Sequence, residues 1–173
     1  MSIILFFLFA LVSSTSIITV QSFCVADLKA AQTPSGYLCK APESVKVDDF
    51  VFTGLDPQNT TNGISISPAF VDQIPGLNGL GFAAARLDMD VGGVVPMHTH
   101  PDASEMLIIV HGTMNSGKGK ATVYLAFSSS NPSVQLVDVA LFGNNLSSDL
   151  VTKTTYLDLY EVKKLKGVFG GSG

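Results

Sequence analysis

Short apolar stretches separated by Gly, Pro, Asn and Asp residues constrain the fold of this chain more than any other feature of its sequence. They follow one another between residues 45 and 127, and no helical period separates them. Strands at this spacing predict a β-sandwich, a jelly roll or a barrel. The predicted strands are residues 45–52, 64–70, 80–89, 106–110 and 121–127.

Two of these stretches also indicate how the side chains of their strands are arranged. In residues 80–89 the side chains alternate, so that Ala83, Ala85, Leu87 and Met89 share one face. Residues 106–110, MLIIV, are continuously apolar. Such a run is typical of a strand that is covered on both faces.

The pattern changes after Pro132, where apolar residues recur at helical spacing. We predict two short helices, within residues 133–142 and 147–169. The final GGSG, residues 170–173, is predicted to end the last helix and to be disordered. The apolar stripe of these helices needs a cover, and we favour a contact with a second subunit.

The chain begins with an apolar stretch over residues 3–12 that carries no charge and is too short to span a bilayer. It has the form of a secretory signal, so residues 1–22 are predicted to be a signal peptide that is cleaved between Ser14 and Ser22. A signal anchor is the alternative. After cleavage no membrane segment is expected, and residues 23–132 and 133–173 form the strand-rich and helical parts of one domain.

Secretion bears on the two cysteines and on two glycosylation sequons. Cys24 and Cys39 are predicted to form a disulfide, because an exported chain passes through an oxidising compartment. Two free thiols or a metal-binding pair are the alternatives. Asn59 and Asn145 each begin an N-x-[ST] sequon and are candidate glycosylation sites. The net charge of −4, without a large basic cluster, argues against nucleic acid binding.

The sequence HTHPDASE contains the candidate metal ligands. On a strand, His98 and His100 point to the same face about 7 Å apart, so both imidazoles can reach one ion. The turn residues 101–104 can bring the carboxylate of Glu105 back toward them. Nitrogen and oxygen donors without thiolate suit Mn, Fe, Ni or Zn. No separate catalytic acid or base is evident.

The spacing Gly92-x5-His98-x-His100-x4-Glu105-x6-Gly112 resembles the first cupin motif of the plant germin-like proteins. Flanking segments such as LNGLG at 77–81 and LFGNNLSSDLV at 141–151 resemble the subgroup described as auxin-binding-protein-like. The resemblance covers essentially the whole chain. It implies an all-β cupin jelly-roll barrel with short C-terminal helices, a manganese cofactor, a hexamer and a location in the apoplast.

The second motif of that family, which supplies a third histidine ligand, is absent. Residues 113–120 alone separate Gly112 from Ala121, and no histidine follows His111. Six residues of extended chain place His111 about 20 Å from Glu105, so we interpret it as a partly buried strand histidine. An internal deletion, and hence an incomplete barrel, is the simplest explanation. Two histidines and one carboxylate are also the donor set of non-haem iron sites.

Three functions remain open on the sequence. The first is a manganese-binding glycoprotein of the cell wall, associated with defence, that holds the metal or a small carboxylate such as an auxin. The second is a manganese enzyme of the superoxide dismutase or oxalate oxidase type, which the resemblance to germins implies. The third is a non-functional truncated variant, since missing strands leave edges unpaired.

Overall fold

The structure is a computed structural model, and it describes residues 24–33, 36–59, 63–112 and 118–173. The signal peptide predicted over residues 1–22 lies outside them. None of the helices in the described ranges is long and apolar enough to cross a membrane.

Two antiparallel sheets make up the strand-rich part of the chain. The larger sheet has four strands in the order β1-β2-β5-β4, and the smaller pairs β3 with β6. The prediction of an all-β fold with short C-terminal helices is confirmed. The strands are β1 (Ile64–Ala69), β2 (Ala83–Met89), β3 (His98–Thr99), β4 (Glu105–His111), β5 (Ala121–Phe127) and β6 (Gln135–Leu136).

The core lies on one face of the central strands β2 and β5. Both strands alternate between buried and half-buried residues along their whole length, as the sequence of residues 80–89 predicts. Leu87 is opposite Val123 and Ala85 is opposite Leu125 in the antiparallel register, so their side chains pack on the same face. Burying a side chain of the size of Val, Leu or Phe stabilises the fold by about 1.5–3 kcal/mol.

The predicted strand over residues 45–52 is wrong. This part of the chain contains two 3-10 turns, Pro42–Ser44 and Val47–Phe50. The buried carboxylate of Asp49 accepts hydrogen bonds from the backbone N–H of Lys46 at 2.9 Å and from Nζ of Lys40 at 2.5 Å. A side chain that satisfies a nearby backbone donor competes with strand pairing, which explains the turn.

The expectation that residues 106–110 are covered on both faces is also wrong. The five side chains from Met106 to Val110 are between 45% and 58% exposed. They belong to β4, which lies at the edge of the four-stranded sheet, with β5 on one side. Within the described residues no further strand pairs with its other side.

Three helices, where two were predicted, follow β6 in the described chain. They are α1 (Val137–Phe142), α2 (Ser148–Thr155) and α3 (Leu159–Phe169). The second predicted helix is interrupted because Tyr156 adopts a left-handed conformation, with φ of 60°. Asp158 then caps α3 by accepting from the N–H of Glu161 at 2.8 Å. Phe142, Val151 and Val162 form a small core between the three helices.

The last four residues, predicted to be disordered, are held by hydrogen bonds. Gly170 ends α3 in the left-handed conformation that glycine adopts without strain, with φ of 78°. The N–H of Ser172 then donates to the backbone oxygen of Asn144 at 2.9 Å. Ser148 donates its hydroxyl to the backbone oxygen of Gly173. The tail is therefore tied to the connection between α1 and α2.

The N-terminal arm is attached to the body by covalent and polar contacts. A disulfide joins Cys24 to Cys39. The N–H of Ala26 donates to the backbone oxygen of Pro75 at 2.9 Å. The side chain of Asn78 donates to the backbone oxygen of Tyr37, also at 2.9 Å. Both Pro75 and Asn78 belong to the turn before β2, so the arm packs beside the sheet.

Candidate metal centre

The three predicted ligands come together at one end of the sheet. His98 begins β3, where it is paired with Leu136 of β6, and His100 follows directly after this strand. The turn of residues 101–104 reverses the chain, and Glu105 then begins β4 opposite the buried Phe127. One donor atom from each of His98, His100 and Glu105 lies within 4.8 Å of the other two.

Backbone carbonyl groups orient both imidazole rings. Nδ1 of His98 lies 2.8 Å from the oxygen of Pro96, and Nδ1 of His100 lies 2.5 Å from the oxygen of Ser133. A carbonyl oxygen only accepts, so each Nδ1 carries the hydrogen and each Nε2 keeps a free lone pair. Metal-binding histidines are held in this way in proteins.

The carboxylate of Glu105 is close to the rings without being bonded to them. Its Oε2 lies 3.9 Å from Nε2 of His100, and the two side chains are 20% and 13% exposed. This distance is too long for a hydrogen bond. Donors bound to one ion through bonds of about 2.1 Å lie at most about 4.2 Å apart, so an ion would draw the three donors slightly together.

The three donors line an open cleft with a volume of about 570 Å³. The rest of its wall is largely apolar and comes from the core face of the sheet and from the segments around β3 and β6. Phe127 is part of this wall, and its ring centroid lies 5.0 Å from that of His100. Further apolar residues of the wall include Ile66, Phe70, Leu107, Leu125, Val134 and Leu136.

His111 lies outside this group: it ends the strand β4 that Glu105 begins, and its side chain also faces the other way. A β-bulge in β4 places Ile109 opposite Val123 but His111 opposite Thr122, so His111 faces away from the core. The imidazole is exposed, where partial burial was predicted. The chain has only three histidines, so none remains to join His98 and His100. No other Asp, Glu or Cys of the described residues joins the group either.

Comparison with known proteins identifies the family. The model of the cupin family matches residues 52–114. A germin-like protein of Arabidopsis thaliana, subfamily 3 member 3, is 44% identical over an alignment that covers 99% of both chains. The chain belongs to the germin-like proteins. An auxin-binding protein of Prunus persica is also 44% identical, with 98% of this chain and 95% of the relative covered.

Solved structures agree with this assignment. Oxalate oxidase in complex with the substrate analogue glycolate superimposes on this germin-like chain with a TM-score of 0.73 and 27% identity. The superposition covers 87% of this chain and 96% of the oxidase.

The alignment with the Arabidopsis relative also shows that this chain is internally shorter. It extends over 208 positions, whereas the chain has 173 residues, so at least 35 positions face gaps in this chain. Since 99% of each chain is covered, these gaps are internal.

The structure adds two groups that the sequence did not indicate, namely the backbone oxygens of Pro96 and Ser133. Every residue has a carbonyl group, so no residue type or spacing signals this role. The two sequon residues, Asn59 and Asn145, are both exposed. Neither residue lines the cleft beside the three donors.

Proposed function

We propose that this germin-like chain is a secreted, apoplastic protein that binds manganese through His98, His100 and Glu105. In this proposal it is a binding glycoprotein of the cell wall, associated with defence. Residues 1–22 are its signal peptide, residues 23–132 its cupin barrel and residues 133–173 its helical segment. The observation that carries the proposal is the convergence of one donor atom from each of two imidazoles and one carboxylate, with a backbone carbonyl at Nδ1 of both rings.

The donor set fits a divalent ion of the manganese type. Two imidazoles and a carboxylate are the nitrogen and oxygen donors that such ions accept. When bound, the metal would supply Lewis-acid polarisation of an oxygen-bearing ligand. The protein contributes the orientation of both rings through their Nδ1–H groups and one negative charge from Glu105. Glu105 compensates one of the two positive charges of a divalent ion, and the remaining single positive charge favours an anionic partner.

The cleft beside the donors supports a small carboxylate, such as an auxin, as this partner. Its largely apolar wall suits an aromatic or aliphatic body. The metal end of the cleft suits the carboxylate head. The similarity to an auxin-binding protein of Prunus persica favours the same class of ligand.

An enzyme is the second candidate, because the chain resembles oxalate oxidase in structure. It would use manganese for oxalate oxidation or for superoxide dismutation. The chain has three histidines, and the third, His111, faces away from the centre. Protein ligands tune the redox properties of a bound metal, so a missing donor affects redox catalysis more severely than it affects simple binding. We therefore favour the binding protein over the enzyme.

Metal content tests the proposal. The secreted protein is purified, and its manganese is measured by mass spectrometry and by electron paramagnetic resonance. We expect bound manganese in the natural chain, none in His98→Ala, and an unchanged content in His111→Ala, which serves as the matched control. Manganese-free protein after exposure to excess Mn²⁺, or equal losses in both variants, would contradict the proposal.

Turnover assays separate the remaining functions. Peroxide formation from oxalate or loss of superoxide, in the manganese-loaded protein but not in His98→Ala, would favour the enzyme. Binding of a radiolabelled auxin without turnover would favour the binding protein. Aggregated material without manganese would favour the truncated, non-functional variant.

The same secreted material tests glycosylation and assembly. We propose that Asn59 and Asn145 carry glycans and that the chain forms a homo-oligomer, the hexamer that its family implies. Glycosidase treatment should lower the mass of the natural chain. In each Asn→Gln variant the decrease in mass should be smaller by the mass of one glycan. Light scattering measures the oligomer, and a monomer would contradict that part of the proposal.

A further inference from the structure

The turn between His100 and Glu105 contains an acidic residue that reaches the metal centre through a second residue. Ser133 donates its hydroxyl to Oδ2 of Asp102. The backbone oxygen of the same serine accepts the hydrogen bond from Nδ1 of His100 at 2.5 Å. Ser133 therefore contacts both the turn and the imidazole, although it lies 33 positions from His100 along the chain.

We propose that Asp102 and Ser133 are positioning residues for the metal centre. The carboxylate of Asp102 holds Ser133, the carbonyl of Ser133 holds the Nδ1–H of His100, and Nε2 of His100 is thereby directed at the ion. Asp102 is not a ligand, because it does not join the group of donors. This inference rests on the proposed metal binding and adds to it the two residues that orient one ligand.

One end of the turn of residues 101–104 is attached to the sheet by two hydrogen bonds, so the bond between Ser133 and Asp102 fixes the position of the other end. The N–H of Ser104 donates to Oγ of Ser128 at 2.8 Å, and the N–H of Ser128 donates to the backbone oxygen of Ser104 at 3.0 Å. These two bonds attach the turn to the end of β5, beside Glu105. At the other end, the bond between Asp102 and Ser133 attaches the turn to the segment before β6.

The side chain of Ser133 matters because this residue lies at the surface. Any residue at this position offers a carbonyl group, but water competes for the hydrogen bonds of exposed residues, and Ser133 and Val134 are both exposed. A hydrogen bond from a hydroxyl to a carboxylate is stronger than a hydrogen bond between two neutral groups. It therefore restricts the orientation of the peptide that faces His100.

Three single variants and one double variant test the inference. Ser133→Ala and Asp102→Ala should each weaken Mn²⁺ binding about tenfold, the lower end of the range for residues that orient ligands. Both should shift the visible absorption bands of the Co²⁺-loaded protein, which report ligand geometry. Asp102→Asn should keep most of the affinity, because its amide oxygen still accepts. The double variant should lose no more than either single alanine variant, as expected for residues that act through one contact.

The controls separate positioning from charge and from folding. Asp72→Ala removes the same charge and another carboxylate that accepts from a hydroxyl, since Tyr37 donates to Asp72 at 2.8 Å. It should leave Mn²⁺ affinity unchanged. A general charge effect would weaken Asp102→Asn as much as Asp102→Ala, and that result would overturn the inference. An unchanged affinity and an unchanged Co²⁺ spectrum in Ser133→Ala would overturn it as well.

A nitrogen NMR measurement distinguishes failure of this inference from failure of the proposed function. Binding of no Mn²⁺ by the natural chain would refute the function, while the ¹⁵N shifts of His100 would still report its tautomer. We expect the Nδ1–H form in the natural chain and a mixture of forms in Ser133→Ala. Identical ¹⁵N shifts in the two proteins would overturn the positioning role.

Discussion

Replacing Lys166 tests how the helical segment is held together. This lysine is only 2% exposed. Its Nζ donates to three backbone oxygens, those of Asn144 at 2.9 Å, Leu146 at 2.7 Å and Ser172 at 2.7 Å. The ammonium thus joins α3 to the connection between α1 and α2 and to the C-terminal tail.

The expected effect follows from these contacts. A hydrogen bond from a charged donor contributes about 1.5–3 kcal/mol, and removing an ammonium from water costs several kcal/mol. Methionine would remove the hydrogen bonds of the ammonium and also the cost of burying its charge. It would leave three carbonyl oxygens beside an apolar side chain. Each one that water does not reach costs about 1–3 kcal/mol. We therefore expect Lys166→Met to lower the free energy of unfolding by about 2–4 kcal/mol.

Urea unfolding followed by circular dichroism at the helical band measures this change. Lys164→Met is the matched control, because Lys164 is on the same helix, its side chain is 58% exposed and it pairs with the nearby Glu161 at 3.0 Å. The control should change the free energy of unfolding by less than about 0.5 kcal/mol. Equal effects of the two substitutions would refute the role assigned to the buried ammonium.

Three further predictions concern the sheet and the arm. Replacing Cys24 and Cys39 by serine should lower the free energy of unfolding by about 3 kcal/mol, measured by thermal denaturation, because the disulfide closes a loop of 15 residues. The hydrogen bond from Arg86 lowers the pKa of the Asp88 carboxyl below its usual value, so this carboxyl stabilises the fold above pH about 4 and less as the pH falls further. Asp88→Asn should flatten that part of an acid denaturation curve. Ile108→Lys should reduce aggregation in light scattering without changing the circular dichroism spectrum, because Ile108 is exposed on an edge strand.

Local patterns were sufficient for the central strands and for the convergence of His98, His100 and Glu105. The alternation in residues 80–89 depends only on the two-residue period of a strand, and it correctly placed Leu87 and Met89 on one face, which the structure shows to be the buried one. The spacing of His98 and His100 uses the same period. Their convergence with Glu105 needs one short turn, whose residues are next to one another in the chain.

Features that depend on a neighbouring strand could not be predicted in this way. The run MLIIV is apolar whether or not another strand covers it, and its exposure follows from the position of β4 at the edge of the sheet. Alternation along β4 places His111 on the same face as Glu105, but the bulge after Ile109 turns it to the other face. A bulge is a property of the pairing between two strands, which the sequence of one strand does not contain.

The candidate metal centre combines both kinds of information. Its three donors are near one another in the sequence, so their residue types and spacing indicate them directly. Ser133 reaches His100 from 33 positions away through a carbonyl group that every residue possesses, and only the pairing of β3 with β6 brings it there. The sequence determines the chemistry of each side chain directly. Backbone contacts between distant segments are determined only when the chain packs.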